Sequence, residues 1–159
     1  MYKPLNRWQS EPAGLLTSKL FDQNNFYKAF LRDLSNCCNE VIIESPFITA
    51  KRMADLMPVL GKLTKRGVRI IINTRNPEEH GCIYRVQAYE AIEYLQRLNV
   101  LVLFTSGHHR KLAILDSHIV WEGSLNILSQ NDSCELMRRI DSLEMASQMK
   151  NFLNLAKFL

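Results

Sequence analysis

Residues 109–126 read HRKLAILDSHIVWEGSLN, and the rest of the chain is organised around them. His109, Lys111 and Asp116 fall as H-x-K-x4-D, and Gly123, Ser124 and Asn126 follow as G-S-x-N. LAIL (112–115) and HIVWEGS (118–124) are short apolar and β-branched runs with Asp116-Ser117 as a turn signal between them, so the stretch reads as a hairpin-like pair of strands. Side chains alternate across a strand, which puts His109 and Lys111 on one face and lets Ala113 and Leu115 carry that face into the core. The return strand brings Ser124 and Asn126 back beside His109 and Lys111. An imidazole, an ammonium, a hydroxyl, an amide and the bare backbone of Gly123 then converge, a composition that suits a phosphate without a metal.

Phosphoryl transfer needs a nucleophile in line with the leaving group, and positive or hydrogen-bonding groups around the equatorial oxygens. Lys111 and Asn126 suit the oxygens. His109 suits the nucleophile, provided that its attacking nitrogen is unprotonated and an acceptor on the other nitrogen fixes the tautomer. Taken singly, an H-x-K is a surface pair and a G-S-x-N a turn. Six positions agreeing in identity and spacing reverse that reading.

This pattern resembles the HKD signature of the phospholipase D superfamily, and especially its single-motif members: small bacterial Nuc-type endonucleases and similar domains attached to helicases and restriction enzymes. Outside the motif, EVIIESPFI and GSLNILSQNDSCE look like the helicase-associated type. The resemblance implies an α/β chain with the phospholipase D-like fold, a mixed central sheet flanked by helices on both faces. It implies a two-step phosphodiesterase in which one histidine forms a phosphohistidine while a second, protonated histidine gives a proton to the leaving oxygen. It also implies an acidic residue beyond G-S-x-N that orients the nucleophile, for which Glu135 in SCEL is the candidate. Asp116, the third letter of the motif, is expected at the turn, holding the hairpin.

The chain holds one copy of the motif. His108 finds Arg110 where a lysine is needed, and His80 and His118 have no lysine two residues on. The second histidine must then come from another subunit, and a twofold homodimer supplies it through an isologous interface. The expected activity is metal-independent nuclease or phosphodiesterase chemistry with no cofactor, on DNA before RNA. Alternatives are a nucleic-acid-binding module without turnover, beside a helicase or in a restriction or repair complex, and a lipid phosphodiesterase similar to mitochondrial single-motif members.

Composition fits without deciding. At 159 residues the chain reads as an irregular arm over 1–20, with Trp8 tacking it to the body, and one catalytic domain over 21–159. A net charge of +4 and a pI near 8.9 suit a polyanion. Four cysteines without C-x-x-C or zinc-like spacing read as reduced thiols, and with no secretory signal or membrane-length apolar run the expected place is the cytoplasm, with no membrane partner.

Along the chain, Asp22 is expected to cap a helix with Phe26, Phe30 and Leu34 at spacing four. VIIESPFI (41–48) reads as a buried strand, with Ser45 near its carboxyl end where it could line the site. Thr49 then caps a helix striped by Met53, Leu56, Leu60 and Leu63, with a kink or break expected near Pro58 and Gly61. VRIIINTR (68–75) is a second buried strand whose Arg75 is either a phosphate contact or a solvated arginine. His80 sits in a loop and reads as exposed. A helix over 84–98 and the strand VLVLFT (100–105) follow, and His108 turns to the opposite face from His109, as support or substrate contact. In the last strand, CELMRRID (134–141), Glu135 facing the site would take Arg139 with it toward a phosphate. Asp141-Ser-Leu-Glu144 has capping-box form before a closing helix.

Overall fold

The structure, a computed structural model, describes residues 18–129 and 133–155. Trp8 and most of the arm expected over 1–20 lie outside the described residues. The elements run β1 (Lys19–Asp22), α1 (Phe26–Ser35), β2 (Glu40–Glu44), α2 (Ala50–Lys65), β3 (Arg69–Thr74), α3 (Cys82–Arg97), β4 (Leu101–Phe104), β5 (Leu112–Leu115), β6 (Ile119–Gly123), β7 (Leu136–Asp141) and α4 (Leu143–Leu153). The strands form one seven-stranded sheet in the order β1-β7-β6-β5-β2-β3-β4. β2, β3 and β4 pair in parallel, and every other pairing is antiparallel, so the sheet is mixed.

The centres of EVIIE and RIIINT bury apolar side chains on both alternating rows, Ile42 and Ile71 on one and Val41, Ile43, Ile70 and Ile72 on the other, and only a strand inside a sheet covered on both faces hides both. One face buries Val41, Ile43, Ile70, Ile72, Ala113 and Trp121 under α1, α2 and α3. The other buries Ile42, Ile71, Ile114, Val120 and Ile140 under α4. The spacing-four stripe of α1 explains its docking: Phe26 and Phe30 are fully buried and present their rings edge-on to Trp121, with centroids 5.2 and 6.1 Å away. Each such ring contributes on the order of 2–3 kcal/mol by leaving water.

Several local expectations shift. Lys19 and Leu20, read as the end of an arm, open β1, which pairs antiparallel with β7. Asn25, not Asp22, is the N-cap of α1, and the Asp22 carboxylate instead accepts from the Asn24 and Asn25 amides at 2.9 and 3.0 Å. Thr49 stands at the N-cap of α2 without using its hydroxyl there, while Gln87 accepts from the Ala50 amide at 3.2 Å. α2 does not break at Pro58, because Met53, Leu56, Leu60 and Leu63 on its buried stripe anchor both halves to the sheet. The cap of α4 is Ser142, one residue later than expected, accepting from the Met145 amide at 3.2 Å. Among the described residues no helix is long and apolar enough to cross a membrane.

The pairings fix where chemistry can occur. Glu44 at the end of β2 lies opposite Asn73 of β3 and Leu112 of β5, so the residues just before β5 and just after β3 emerge at one edge of the sheet. The hairpin turn between β5 and β6 lies at the other edge.

Candidate active site

β5 begins at Leu112, so His109 and Lys111 stand just ahead of the strand rather than on it. Alternation persists all the same. His108 and Arg110 both reach Glu44, while His109 turns away to Arg75. The exposed His109 ring has Nε2 2.5 Å from a terminal nitrogen of Arg75. A guanidinium only donates, so Nε2 accepts and the neutral ring carries its proton on Nδ1. Arg75 also donates to the His108 carbonyl at 3.0 and 3.3 Å, lies 3.7 Å from the Glu79 carboxylate, and sits over the Phe47 ring at 5.2 Å. Lys111 Nζ donates to the His109 carbonyl at 2.8 Å.

The return strand arrives as its register requires. The Gly123 amide donates to the Lys111 carbonyl at 3.2 Å, which sets G-S-x-N beside H-x-K. Gly123 is needed for packing: a Cβ there would stand 2.1 Å from the Leu136 carbonyl oxygen. Ser124 is engaged with the start of β7, its hydroxyl accepting from the Leu136 amide at 3.0 Å. The Asn126 carbonyl accepts from Tyr27 and from the Ser129 amide, at 3.2 and 3.0 Å, while its Oδ1 is buried without a partner. Asn126 lines a cleft of about 180 Å³ with Phe47, Thr49, Tyr84 and Ser129. Phe47 joins the two halves of the site, touching Arg75 on one side and forming a cleft wall on the other.

Other expected residues go elsewhere. Glu135 does not touch His109: its carboxylate accepts from Ser133 Oγ at 2.6 Å and its amide donates to Gln23, which ties it to the loop after β1. Ser45 is fully buried and does not line the cleft; its hydroxyl accepts from the Leu128 amide at 3.1 Å and donates to the Phe47 carbonyl at 3.3 Å, holding the walls in place. Arg139 pairs with Asp33 at 2.6 Å, a carboxylate that also accepts from Trp121 Nε1 at 3.1 Å, so here it belongs to an ion pair at the core. Asp116 sits at the far end of β5 from His109, where it accepts from the amides of Cys38, Asn39 and Glu40 at 2.8, 2.8 and 3.0 Å. It acts on the fold.

Two further histidines are buried, His80 against the expectation of an exposed loop residue. His80 is buried against Phe47, with ring centroids 5.0 Å apart and neither nitrogen hydrogen-bonded. Burial first, and then the charge of Arg75, push its pKa down. His108 is 3% exposed, and its Nε2 lies 3.3 Å from Glu44 and 3.2 Å from the Asn73 carbonyl. Burial holds its pKa down too, aided by Arg110 and Arg75 against the opposing pull of Glu44. Glu44, Asn73, Thr49, Tyr84 and Ser129 were not expected at the site from the sequence. Of these only Glu44 left a trace, as a charge closing the apolar run VII. Among the described residues no three His, Cys, Asp or Glu side chains gather as metal ligands.

A family model described as "Cardiolipin synthase, PLD-like domain" matches residues 30–155. No curated protein matches the sequence. Among solved structures, the chain is similar to Nuc from Salmonella typhimurium, a phospholipase D family member, with 18% identity, TM-score 0.71, and 85% of this chain and 90% of that one covered. It is similar to NucT from Helicobacter pylori with 21% identity, TM-score 0.69 and 85% and 91% covered. It is also similar to TrmBL2, an archaeal chromatin protein whose structure shows a novel mode of DNA binding, with 16% identity, TM-score 0.60 and 87% and 51% covered. At these identities the likeness is one of fold.

Proposed function

Since the chain belongs to the family of PLD-like domains described by that model, whose membership supports phosphodiester hydrolysis in general, we propose that it is a metal-independent nuclease. It cleaves nucleic-acid phosphodiesters, DNA before RNA, at a site shared by two copies of the chain. The observation that carries this reading is His109 itself. It is exposed, its Nε2 meets Arg75, which sits over the Phe47 wall of the cleft, and its carbonyl accepts from Lys111. A phosphate entering here meets two cations whose present partners include exchangeable carbonyl oxygens, and the guanidinium can pass from the imidazole to a phosphate oxygen.

In the first step His109 Nε2 attacks phosphorus, the P–O bond to the leaving oxygen breaks, and that oxygen takes a proton from the partner's His109. In the second step the partner's His109, now neutral, takes a proton from water as the water oxygen attacks phosphorus and the P–N bond breaks. Lys111, Arg75 and the Asn126 amide stabilise the equatorial oxygens. Glu135 has no part in this assignment, since Arg75 already sets the tautomer from the Nε2 side. The net charge of +4 favours a polyanion.

A binding module without turnover, beside a helicase or in a restriction or repair complex, is the second reading. It is favoured by the same Arg75, whose contact with Nε2 blocks attack until it moves. The DNA-binding relative among the similar structures is compatible with it. One experiment separates the readings. Labelled single- and double-stranded DNA and RNA, and cardiolipin vesicles, are incubated with the protein in excess EDTA beside His109→Ala, with the oligomeric state measured by sedimentation. Cleavage of nucleic acid by a wild-type dimer and none by the variant is expected. Salt-dependent binding without cleavage supports the module, release of lipid headgroup supports a lipid phosphodiesterase, and a fully active monomer removes the shared site.

A further inference from the structure

The nucleophile and its lysine lie on a segment that the sheet does not hold. β4 ends at Phe104 and β5 starts at Leu112. Between the bond from the Thr105 amide to Thr74 and the bond from Gly123 to the Lys111 carbonyl, no backbone-to-backbone hydrogen bond among the described residues fixes residues 106–110. Among the described residues it is side chains that fix them: Glu79 accepts from the Gly107 amide at 3.1 Å, Arg75 donates to the His108 carbonyl, and the fully buried Glu44 meets His108 and Arg110.

Glu44 follows Ile42 on the face beneath α4 and spends both carboxylate oxygens. Oε2 accepts from Arg110 Nε at 2.8 Å and lies 3.3 Å from His108 Nε2; Oε1 accepts from Asn73 Nδ2 at 3.0 Å. Asn73 is itself pinned, its Oδ1 accepting from Thr105 Oγ1 at 3.1 Å and its carbonyl accepting from His108 Nε2 at 3.2 Å. One carboxylate thus grips the residues immediately before and after His109. Because neighbouring side chains point to opposite sides of an extended chain, fixing 108 and 110 downward fixes 109 upward, toward Arg75 and the cleft. A slip of one residue would turn the imidazole into Glu44.

We propose that Glu44 is the positioning residue of the nucleophile, a buried carboxylate that sets the direction and register of His109 by holding its two neighbours. The proposal rests on the functional reading above for its kinetic consequence, and on geometry alone for its structural one. Glutamine at 44 keeps the volume, but both neighbours face Oε2 and Asn73 Nδ2 faces Oε1, so its single oxygen either serves the neighbours and sets two amide NH2 groups against each other or serves Asn73 and releases the neighbours. Aspartate keeps the charge and falls short by about one bond length, on the order of 1.5 Å.

The test compares Glu44→Gln and Glu44→Asp with Asp33→Asn. The last breaks another buried carboxylate–arginine pair, Asp33–Arg139, that touches no part of the site. With bis(4-nitrophenyl) phosphate and a DNA substrate in EDTA, both Glu44 variants are expected to lose at least tenfold in kcat with KM within twofold, while Asp33→Asn loses thermal stability and keeps kcat. Arg110, whose side chain is 38% exposed, gives a variant that tolerates folding. Arg110→Gln should lower kcat severalfold, and the Glu44→Gln/Arg110→Gln pair should be no worse than Glu44→Gln alone, the non-additivity of a shared contact. Wild-type kcat in folded Glu44→Gln, additive losses, or a kcat loss in Asp33→Asn equal to that in Glu44→Gln would overturn the proposal. If wild type hydrolyses nothing, the nuclease reading falls, and the positioning is read by nitrogen NMR instead. A single Nδ1-protonated His109 ring in wild type, averaging between tautomers in Glu44→Gln, upholds it; identical spectra reject it.

Discussion

β5 is fastened at each end by a carboxylate, and the two fastenings work differently. At the turn, Asp116 accepts from three consecutive amides at the start of β2, in a tight turn where Asp116 and Ser117 take left-handed φ values of 50° and 55°. At the other end Glu44 accepts from side chains and leaves the backbone of 106–110 outside the ladder. A carboxylate on backbone amides locks the chain's path whatever side chains it carries, so it serves the fold. A carboxylate on alternate side chains locks directions, and so it can aim the one between them. The motif joins both ends in a single sequence signature, but the two ends lie at opposite edges of the sheet, and it is the histidine end that meets Arg75.

The largest expected effect comes from removing what is aimed. His109→Ala should abolish phosphodiester hydrolysis by at least roughly a thousandfold with no loss of thermal stability, because the ring is exposed and packs on nothing in the core. Retained activity would place the nucleophile elsewhere. The opposite outcome is expected at the turn. Asp116→Ala removes three charge-assisted bonds and puts alanine in a left-handed conformation, a loss of about 3 kcal/mol. In a chain of this size that is a Tm lower by roughly 6–12 °C. Asp116→Asn, which tolerates the turn, should lose about a third of that, and the folded fraction of either should keep its kcat. An Asp116 variant that folds normally and turns over slowly would erase the distinction between the two ends.

Acid should separate the ends further. Burial opposes the Asp116 carboxylate, but the amides of Glu40, Cys38 and Asn39 together hold its pKa below the ordinary value. Its contribution is therefore present above the unfolded aspartate value of about 3.9 and is lost as pH falls through the lower folded one. His108 has the opposite chemistry and the same sign. Its folded pKa is depressed, so the unfolded chain binds the proton more readily, and stability declines as pH drops below about 6.5. His80 adds in the same direction. Thermal melts from pH 7.5 to 3 should show two declines. His108→Gln should flatten the one that begins near pH 6.5, and Asp116→Asn only the one near pH 4. A single decline unaffected by His108→Gln would mean that the site end is not the acid-sensitive one. The smallest effect belongs to neither end. Ser142→Ala removes the cap of α4 and should lower stability by about 1 kcal/mol with kcat unchanged, a baseline for the other substitutions.

Legibility followed the range of the interaction. The motif, the hairpin and the opposed faces of His108 and His109 could be read because alternation and turn chemistry act over a few residues. The stripes of α1 and α2 could be read for the same reason. β1 could not: KLFD is four residues long with three exposed, and it is a strand only because β7 lies beside it. Arg139 looked available for phosphate because its partner Asp33 is 106 residues away in sequence. Glu135 looked like the orienting acid because sequence distance from Asn126 does not reveal that the chain carries it to Gln23.

By itself the sequence determined the alternation of helices and strands, the family signature and the candidate nucleophile, since each rests on spacing within one strand or one helix, and the resemblance that signature carries implied the mixed sheet. Only the tertiary structure decided what surrounds the nucleophile. Glu44, Asn73 and Arg110 come from positions 29 and 66 residues apart along the chain, and Arg75 meets His109 across 34. No local pattern encodes such meetings, because they depend on which strand ends the sheet brings to a common edge. The physical reason is one of burial: a carboxylate closing an apolar strand stays charged inside the protein only where the fold delivers its donors.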